Sequence, residues 1–244
     1  MVDFTLPLGF LHTLTGAFDF ILHQRASNVS GAHQVGGPAQ VWHLTRAQIE
    51  VSVLGLAGAL AFAFPVGAYF GHRGRGELFA IAFGNAGRAV PEFAAIALLA
   101  AVIGVGLGNV AIALAILGVP PILTNTFVAI RQVDRDAVDA ARGMGMTERE
   151  VFLKVELPLA VPTIMGGVRT AAINIVATAT IATFFGFLTL GDLITGRSVY
   201  GTEGVLAGGI VVALLALATE FVLTAAQRAL TPKGLRLQRA ADRA

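Results

Sequence analysis

Residues 131–158 read RQVDRDAVDAARGMGMTEREVFLKVELP, and this charged stretch lies between two long apolar stretches. Residues 93–130 before it contain no charged side chain, and residues 158–190 after it contain only Arg169. A segment with many charges of both signs must lie in water, whereas the flanking stretches are long enough to cross a hydrocarbon core of about 30 Å as helices. This order predicts an all-α, polytopic membrane helix bundle with an aqueous segment between two of its spans.

The composition supports a membrane protein. Of the 244 residues, 55% are hydrophobic and 13% are charged, and the mean hydropathy is +0.75. A soluble domain carries about 25% charged residues. The absence of cysteine excludes disulfides, thiolate zinc sites and a cysteine nucleophile. Residues 1–8 lack the basic start and the cleavage site of a signal peptide, so we interpret the whole chain as mature.

Five core spans are predicted from the long apolar stretches, of which the fourth contains Arg169 and the fifth contains Glu220. The second begins upstream of Phe93 and is joined to the third by the glycine-rich turn at 104–109. The basic turn at 72–76 and the basic tail lie on the same side of a five-span chain, which the positive-inside rule assigns to the cytoplasm. We therefore expect a multi-pass protein of the inner or plasma membrane with a cytoplasmic C-terminus. The spans are 51–71, up to 103, 109–130, 158–190 and 205–226.

The N-terminal region allows two interpretations. Residues 4–24 have the length of a span but contain His12, Asp19 and His23, and ionisable groups are expensive inside a membrane. We favour an amphipathic helix at the outer interface, followed by an exposed loop at 27–40, over a sixth span. The predicted organisation is an interfacial helix and extracytoplasmic loop (1–41), a transmembrane domain (42–230) and a cytoplasmic basic tail (231–244).

The charged segment is predicted to form two short helices. Asp134 can cap the first, which ends at Gly143 and Gly145. Residues 147–150, Thr-Glu-Arg-Glu, form a capping box that starts the second, and Pro158 is expected to stop it. With the small pair Ala140-Ala141 on one face, such a helical pair is shaped to lie in a groove of another protein. The alternative is a solvated loop whose charges serve only to keep it in water on one side of the membrane.

The spacing within this segment resembles the signature of binding-protein-dependent ABC importer permeases. That signature is normally Glu-Ala-Ala, Gly, Ile and Leu-Pro, and this chain departs from it mildly with Asp139 and Val155. The resemblance implies a type I importer fold and a segment that docks on a nucleotide-binding subunit and transmits its closure. It implies that the ATPase-coupling residues are Asp139, Ala140, Ala141, Gly145, Leu157 and Pro158.

A narrower resemblance covers roughly residues 42–234. PPILTNT at 120–126, AARGMGMT at 140–147, VELP at 155–158 and TAT at 178–180 are similar to osmoprotectant permeases for glycine betaine, carnitine, choline or proline. Residues 186–192, GFLTLGD, depart from the glycine-rich turn that relatives often carry there. An importer of another small polar solute, such as an amino acid, is the alternative, and a secondary transporter is a more distant one.

The resemblance also implies partners. They are an ABC ATPase that binds ATP, a separate extracytoplasmic substrate-binding protein, and a second permease copy or a paralogous permease. Membrane lipid surrounds the spans, and neither nucleic acid nor a cofactor is expected. The chain contains no P-loop, no His-Glu-x-x-His and no Gly-x-Ser-x-Gly motif, so we expect a non-catalytic subunit. The five histidines lack metal-ligand spacing, so we predict no metal site.

Polar residues recur along the fourth predicted span. Gly166, Thr170, Asn174 and Thr178 follow one another every four residues and form one stripe of a helix. We interpret Thr170, Asn174 and Thr178 as lining a substrate pathway, with helix–helix packing as the alternative.

Four further ionisable residues have simpler interpretations. Arg169 is expected to pair with a carboxylate or with helix-end carbonyls, and Glu220 to serve packing or a partner contact. Arg88 and Glu92 are four residues apart and could pair on one helical face. Asp192 is expected near the outer end of the fourth span, in a solvated turn or in reach of a docked binding protein.

Overall fold

The computed structural model describes residues 8–31, 33–74, 76, 78, 82, 84 and 91–232. Within these ranges the fold is almost entirely helical, with one small antiparallel hairpin. In chain order the elements are α1 (Leu8–Leu22), β1 (Gln24–Ala26), β2 (Gln34–Gly36), α2 (Gly37–Arg73), α3 (Glu92–Ile103), α4 (Leu107–Arg131), α5 (Arg135–Gly143), α6 (Glu148–Val151), a π-helical turn (Phe152–Glu156), α7 (Leu157–Thr178), a 3₁₀ segment (Ala179–Phe185), α8 (Gly191–Thr195) and α9 (Arg197–Leu230).

Four helical stretches of the described residues are long and apolar enough to cross a membrane. They contain the predicted first, third and fifth spans and most of the fourth, whose last residues, 186–190, lie beyond Phe185. The predicted membrane helix bundle is therefore confirmed. The stretch corresponding to the second span, α3, has 12 residues and a length of about 18 Å. Its predicted upstream part falls on residues 85–90, which lie outside the described ranges. The four long stretches are Gly37–Arg73, Leu107–Arg131, Glu148–Phe185 and Arg197–Leu230.

Helices α2 and α4 pack with their backbones unusually close together. A stripe of small residues recurs every four positions on α2, and every member is buried. A Cβ atom added at Gly67 would lie 2.8 Å from the backbone oxygen of Leu123 on α4. Since only small side chains allow such an approach, this stripe sets the spacing of the two central helices. Its members are Gly55, Ala59, Ala63, Gly67 and Gly71.

The N-terminal region differs in part from its prediction. Helix α1 has 15 residues and is about 22 Å long, shorter than the hydrocarbon core. The predicted loop at 27–40 instead contains β2 and the start of α2, so that expectation is wrong over its second half. The reason is hairpin pairing, because Arg25 of β1 lies opposite Val35 of β2. Pro38 also suits the first turn of α2, where a missing N–H costs nothing.

Pro158 does not end a helix, so its predicted role as a helix stop is wrong. The chain remains helical from Glu148 to Phe185. Residues Phe152–Glu156 form a π-helical turn, in which the N–H of Leu157 donates to the carbonyl of Phe152. This wider turn brings Pro158 into the first turn of α7, where proline is tolerated. The second helix of the charged segment therefore continues directly into a membrane span.

The opposite end of α7 leads into a kinked arrangement. The 3₁₀ segment ends at Gly186, and α9 contains a break at Gly201, whose φ is +69°. The hydroxyl of Tyr200 donates to Asp192 over 2.5 Å. The Arg25 guanidinium donates to the carbonyl oxygen of Tyr200 over 3.2 Å, so the hairpin is tied to this kink. Asp192 is thus engaged within the chain; contact with a binding protein stays a prediction.

Candidate functional site

Helix α5 is ended by a glycine in the left-handed conformation. The Asp134 side chain accepts from the backbone N–H of Asp136 over 3.0 Å, which confirms the predicted N-cap. At the other end Gly145 has a φ of +83°. Its N–H donates to the carbonyl of Arg142, and the N–H of Met146 donates to that of Ala141. These two bonds define a Schellman motif, so the signature glycine has a conformational reason to be glycine.

The predicted capping box of α6 is also confirmed. The backbone N–H of Glu150 donates to the Thr147 hydroxyl over 3.4 Å, and the backbone N–H of Thr147 donates to the Glu150 carboxylate over 3.1 Å. Lys154 donates to the same carboxylate over 2.8 Å. Both short helices of the charged segment therefore have ordered starts, which favours a structured docking element over a solvated loop.

The signature residues divide between the surface and the interior. Asp139, Ala140 and Gly145 are exposed, Leu157 and Pro158 are half-buried, and Ala141 is buried in the main apolar cluster. The side chain of Met144 is 74% exposed beside them, although it is a large apolar group. The sequence reasoning did not include Met144, whose position four residues after Ala140 was the available signal. We call the exposed set Asp139, Ala140, Met144 and Gly145 the docking face.

A bidentate ion pair joins α5 to α6. The Arg142 Nε and Nη2 atoms each lie 3.0 Å from an oxygen of Glu148, and Nη1 lies 3.4 Å from Asp139. The hydrogen bond with Glu148 raises the pKa of the Arg142 guanidinium above its ordinary value. The charge that holds the two helices together is therefore present at every physiological pH.

The charged segment, residues 131–158, is anchored to the bundle through buried contacts; we call it the docking segment after its predicted role. Val138 and Val151 are fully buried in the cluster that α2, α4 and α7 share. The carboxylate of Glu156, only 1% exposed, lies 2.6 Å from the Nδ1 atom of His72 at the end of α2. The His72 ring also packs edge-on against Phe152, with centroids 5.4 Å apart. Sequence reasoning missed this link because the two partners are 84 positions apart in the chain.

A cavity of about 670 Å³ lies beside α7. All three residues predicted to line a pathway, Thr170, Asn174 and Thr178, border it, whereas Gly166 does not. Thr170 and Asn174 are exposed, so the cavity is open to the surface of the chain. Its other lining residues include the two prolines near the middle of the 25-residue α4, which gives the cavity a position close to mid-membrane. The described residues that line it are Pro91, Glu92, Phe93, Leu117, Pro120, Pro121, Thr170, Asn174, Thr178 and Ile181.

Glu92 belongs to this cavity, which the sequence reasoning did not foresee. Its carboxylate accepts a hydrogen bond from the Thr178 hydroxyl over 2.7 Å, and Thr178 is only 4% exposed. The predicted pair of Glu92 with Arg88 cannot be placed, because Arg88 lies outside the described residues. Glu92 and Thr178 are 86 positions apart, so no local sequence pattern could have joined them.

Arg169 has the structural role that was predicted for it. Its Nε atom lies 3.2 Å from the Glu220 carboxylate on α9. Its Nη1 atom donates to Thr224 and to Gln227, each over 3.2 Å. The Arg169 charge is thus paired with the acid inside the fifth span, and together they connect α7 to α9. Among the described residues no group of three or more His, Asp and Glu side chains could hold a metal ion.

Comparisons with known proteins agree with this arrangement. The family model of the binding-protein-dependent transport system inner membrane component matches residues 61–233. The glycine betaine/carnitine/choline transport system permease protein OpuCB of Bacillus subtilis is 34% identical over 197 residues, covering 80% of this chain and 91% of that protein. The carnitine transport permease protein OpuCB of Listeria monocytogenes is 35% identical over 198 residues, covering 81% and 89%.

Solved structures show the same fold. A chain of the inward-facing MetNI methionine ABC transporter superposes with a TM-score of 0.69 at 19% identity, and the match covers 80% of this chain and 99% of that chain. A chain of an amino acid ABC transporter with histidines superposes with a TM-score of 0.65 at 18% identity, covering 78% and 94%. The helical bundle, the charged segment with its signature and the family match together show that this chain belongs to the binding-protein-dependent transport system inner membrane components, the multi-pass permease subunits of ABC importers.

Proposed function

We propose that this permease imports a compatible solute of the glycine betaine, choline, carnitine or proline type, driven by ATP hydrolysis on a partner ATPase. The observation that carries the solute class is the similarity to two osmoprotectant permeases at 34% and 35% identity over about four fifths of the chain. A separate extracytoplasmic binding protein would deliver the solute. A second permease copy, or a paralogue, would complete the pathway on the open side of the cavity.

The docking face supports the assignment of an ATPase partner. It presents a short exposed helix end with Ala140 and Met144. Val138 and Val151 of the same segment are buried in the bundle. Because His72 and Glu156 tie this segment to α2 and the π turn continues into α7, a displacement of the segment would move both spans. A packed segment that moves as one body is the kind of element that transmits a switch.

The proposed orientation puts this docking face and the C-terminus in the cytoplasm. The basic residues at the end of α2 and the docking segment lie on the same side of the bundle, in accord with the positive-inside rule. Labelling single cysteines introduced at positions 144 and 105 with a membrane-impermeant reagent tests this orientation. Position 105 should react in intact cells and position 144 only after the membrane is opened; the reverse pattern would refute the orientation.

The alternative cargo is another small polar solute such as an amino acid. The superposition on a methionine transporter does not favour it, since 19% identity supports the fold alone.

Reconstitution tests the proposed function. The permease is combined in proteoliposomes with the ATPase and the binding protein encoded in neighbouring reading frames. We expect ATP-dependent uptake of labelled glycine betaine, choline, carnitine or proline, and no uptake with an ATPase variant that cannot hydrolyse ATP. Uptake of methionine alone would favour the alternative cargo. Uptake by the permease alone, driven by an ion gradient, would contradict the importer class.

A further inference from the structure

The described part of the lining of the cavity beside α7 is acidic. Glu92 is the one ionisable residue among the described residues that line it, and they include no lysine, arginine or histidine. The carboxylate is held in place by the hydrogen bond from Thr178 and is itself exposed to the cavity. Because a cavity at this depth is surrounded by apolar helices, the charge is screened less than it would be on an aqueous surface.

The hydrogen-bonding groups of the cavity are mainly acceptors. The Thr178 hydroxyl already donates to Glu92, and the Thr170 hydroxyl already donates to the carbonyl of Gly166 over 3.1 Å. Among the described lining residues, Asn174 has the side chain that can still offer N–H donors, through its amide. A solute that brings a positive charge and a hydroxyl donor therefore matches this lining better than a solute that brings a carboxylate.

The residue after Glu92, Phe93, also borders the cavity and packs against two further aromatic rings. Phe93 borders the cavity with 52% of its surface exposed, and its ring centroid is 5.9 Å from that of Phe184 and 5.2 Å from that of Phe185. Phe184 is 59% exposed. Aromatic faces attract quaternary ammonium groups, and the attraction grows when the site is desolvated. Trp and Tyr, the usual cage residues, are not needed for such a contact.

We propose that Glu92 and Phe93 form a binding position within the permease for cationic quaternary ammonium alcohols, of which choline is the simplest. This inference rests on the proposed function and names the solute class that the membrane pathway itself favours. The volume of about 670 Å³ is within the range of about 300–1,000 Å³ typical of small-molecule sites. A zwitterion such as glycine betaine gains less here, because its own carboxylate is repelled by Glu92.

The test measures uptake by the complete transporter in proteoliposomes, with the binding protein saturated by choline or by glycine betaine. Saturation removes the binding protein's preference from the comparison of rates. We expect E92Q to lower the ratio of choline to glycine betaine rates about tenfold, which corresponds to about 1.4 kcal/mol. E92D, which keeps the charge, should retain most of the ratio. T163V, which removes an exposed hydroxyl of α7 outside the cavity lining, is the matched control and should leave the ratio unchanged.

The outcomes separate this inference from the proposed function. If the wild-type transporter carries none of choline, glycine betaine, carnitine and proline, the proposed function fails. If it carries any of the other three but not choline, the function stands and the inference is overturned. If it carries choline and glycine betaine and E92Q keeps the wild-type ratio of their rates, the function also stands and the inference is overturned.

A second measurement does not depend on variants. The thermal stability of the purified wild-type permease–ATPase complex is followed with choline and with its uncharged tert-butyl isostere, in the absence of the binding protein. Stabilisation by choline alone is expected, since the isostere keeps the shape and the hydroxyl but lacks the charge. Equal stabilisation by both compounds, or none by either, would overturn the inference.

Discussion

Replacement of Gly145 separates the conformation of the docking segment from its contact with a partner. Gly145 has a φ of +83°, and a Cβ atom built there meets nothing within 4 Å. Gly145→Ala therefore causes no clash within the chain, and its cost is the left-handed conformation of a non-glycine residue, about 1–2 kcal/mol. This corresponds to a roughly 5- to 30-fold loss of the Schellman-ended conformer. Gly145→Asn tolerates that conformation but adds a side chain to the docking face.

The assay is recovery of the ATPase with the tagged permease, together with stimulated ATP hydrolysis and uptake. We expect Gly145→Ala to weaken assembly about 5- to 30-fold, without loss of membrane insertion, because the strain is confined to one helix end. Gly145→Asn should also weaken assembly if the partner covers this face. Gly143→Ala is the control, since Gly143 lies inside α5 and also has open space around it. Wild-type assembly by both Gly145 variants would refute the assignment of the docking face.

Three further predictions concern the bundle. Neutralising Arg169 or Glu220 alone should lower the melting temperature of the detergent-solubilised protein, because each single change leaves an unpaired charge. The variant with both residues neutralised should recover part of that loss. Additive losses in this double-mutant cycle would contradict the pairing. Gly67→Leu should prevent stable folding, because the new side chain meets a backbone oxygen of α4. Gly209→Ala, which has open space around it, should elute like the wild type in size-exclusion chromatography. A monodisperse Gly67→Leu variant would contradict the close packing. His72→Ala should lower the free energy of unfolding by about 1–3 kcal/mol, because it leaves the buried Glu156 carboxylate without its partner. Limited proteolysis should then cut the docking segment faster than in the wild type. Unchanged cleavage would show that the contact between His72 and Glu156 does not anchor the segment.

Local features were predictable from the sequence because their partners are near in the chain. The N-cap at Asp134, the capping box at Thr147 and the helix end at Gly145 all join atoms within a few residues. The long apolar stretches likewise predicted four of the spans that the described residues contain. The failure at Pro158 is instructive, because a π-helical turn next to it changed the local hydrogen-bonding pattern that the proline rule assumes.

The sequence by itself determined that this is a helical membrane protein with an ordered, charged segment between two spans, since hydropathy and capping are local properties. Only the tertiary structure decided which polar groups meet. It joined His72 to Glu156 and Arg169 to Glu220, and it brought Glu92 to Thr178 in a cavity. These contacts depend on how the helices pack, and the packing is set by small residues such as Gly67 that let the backbones approach. Pairings over 51 to 86 positions cannot be read from local periodicity, because many registers of the same helices would bury the same apolar surface.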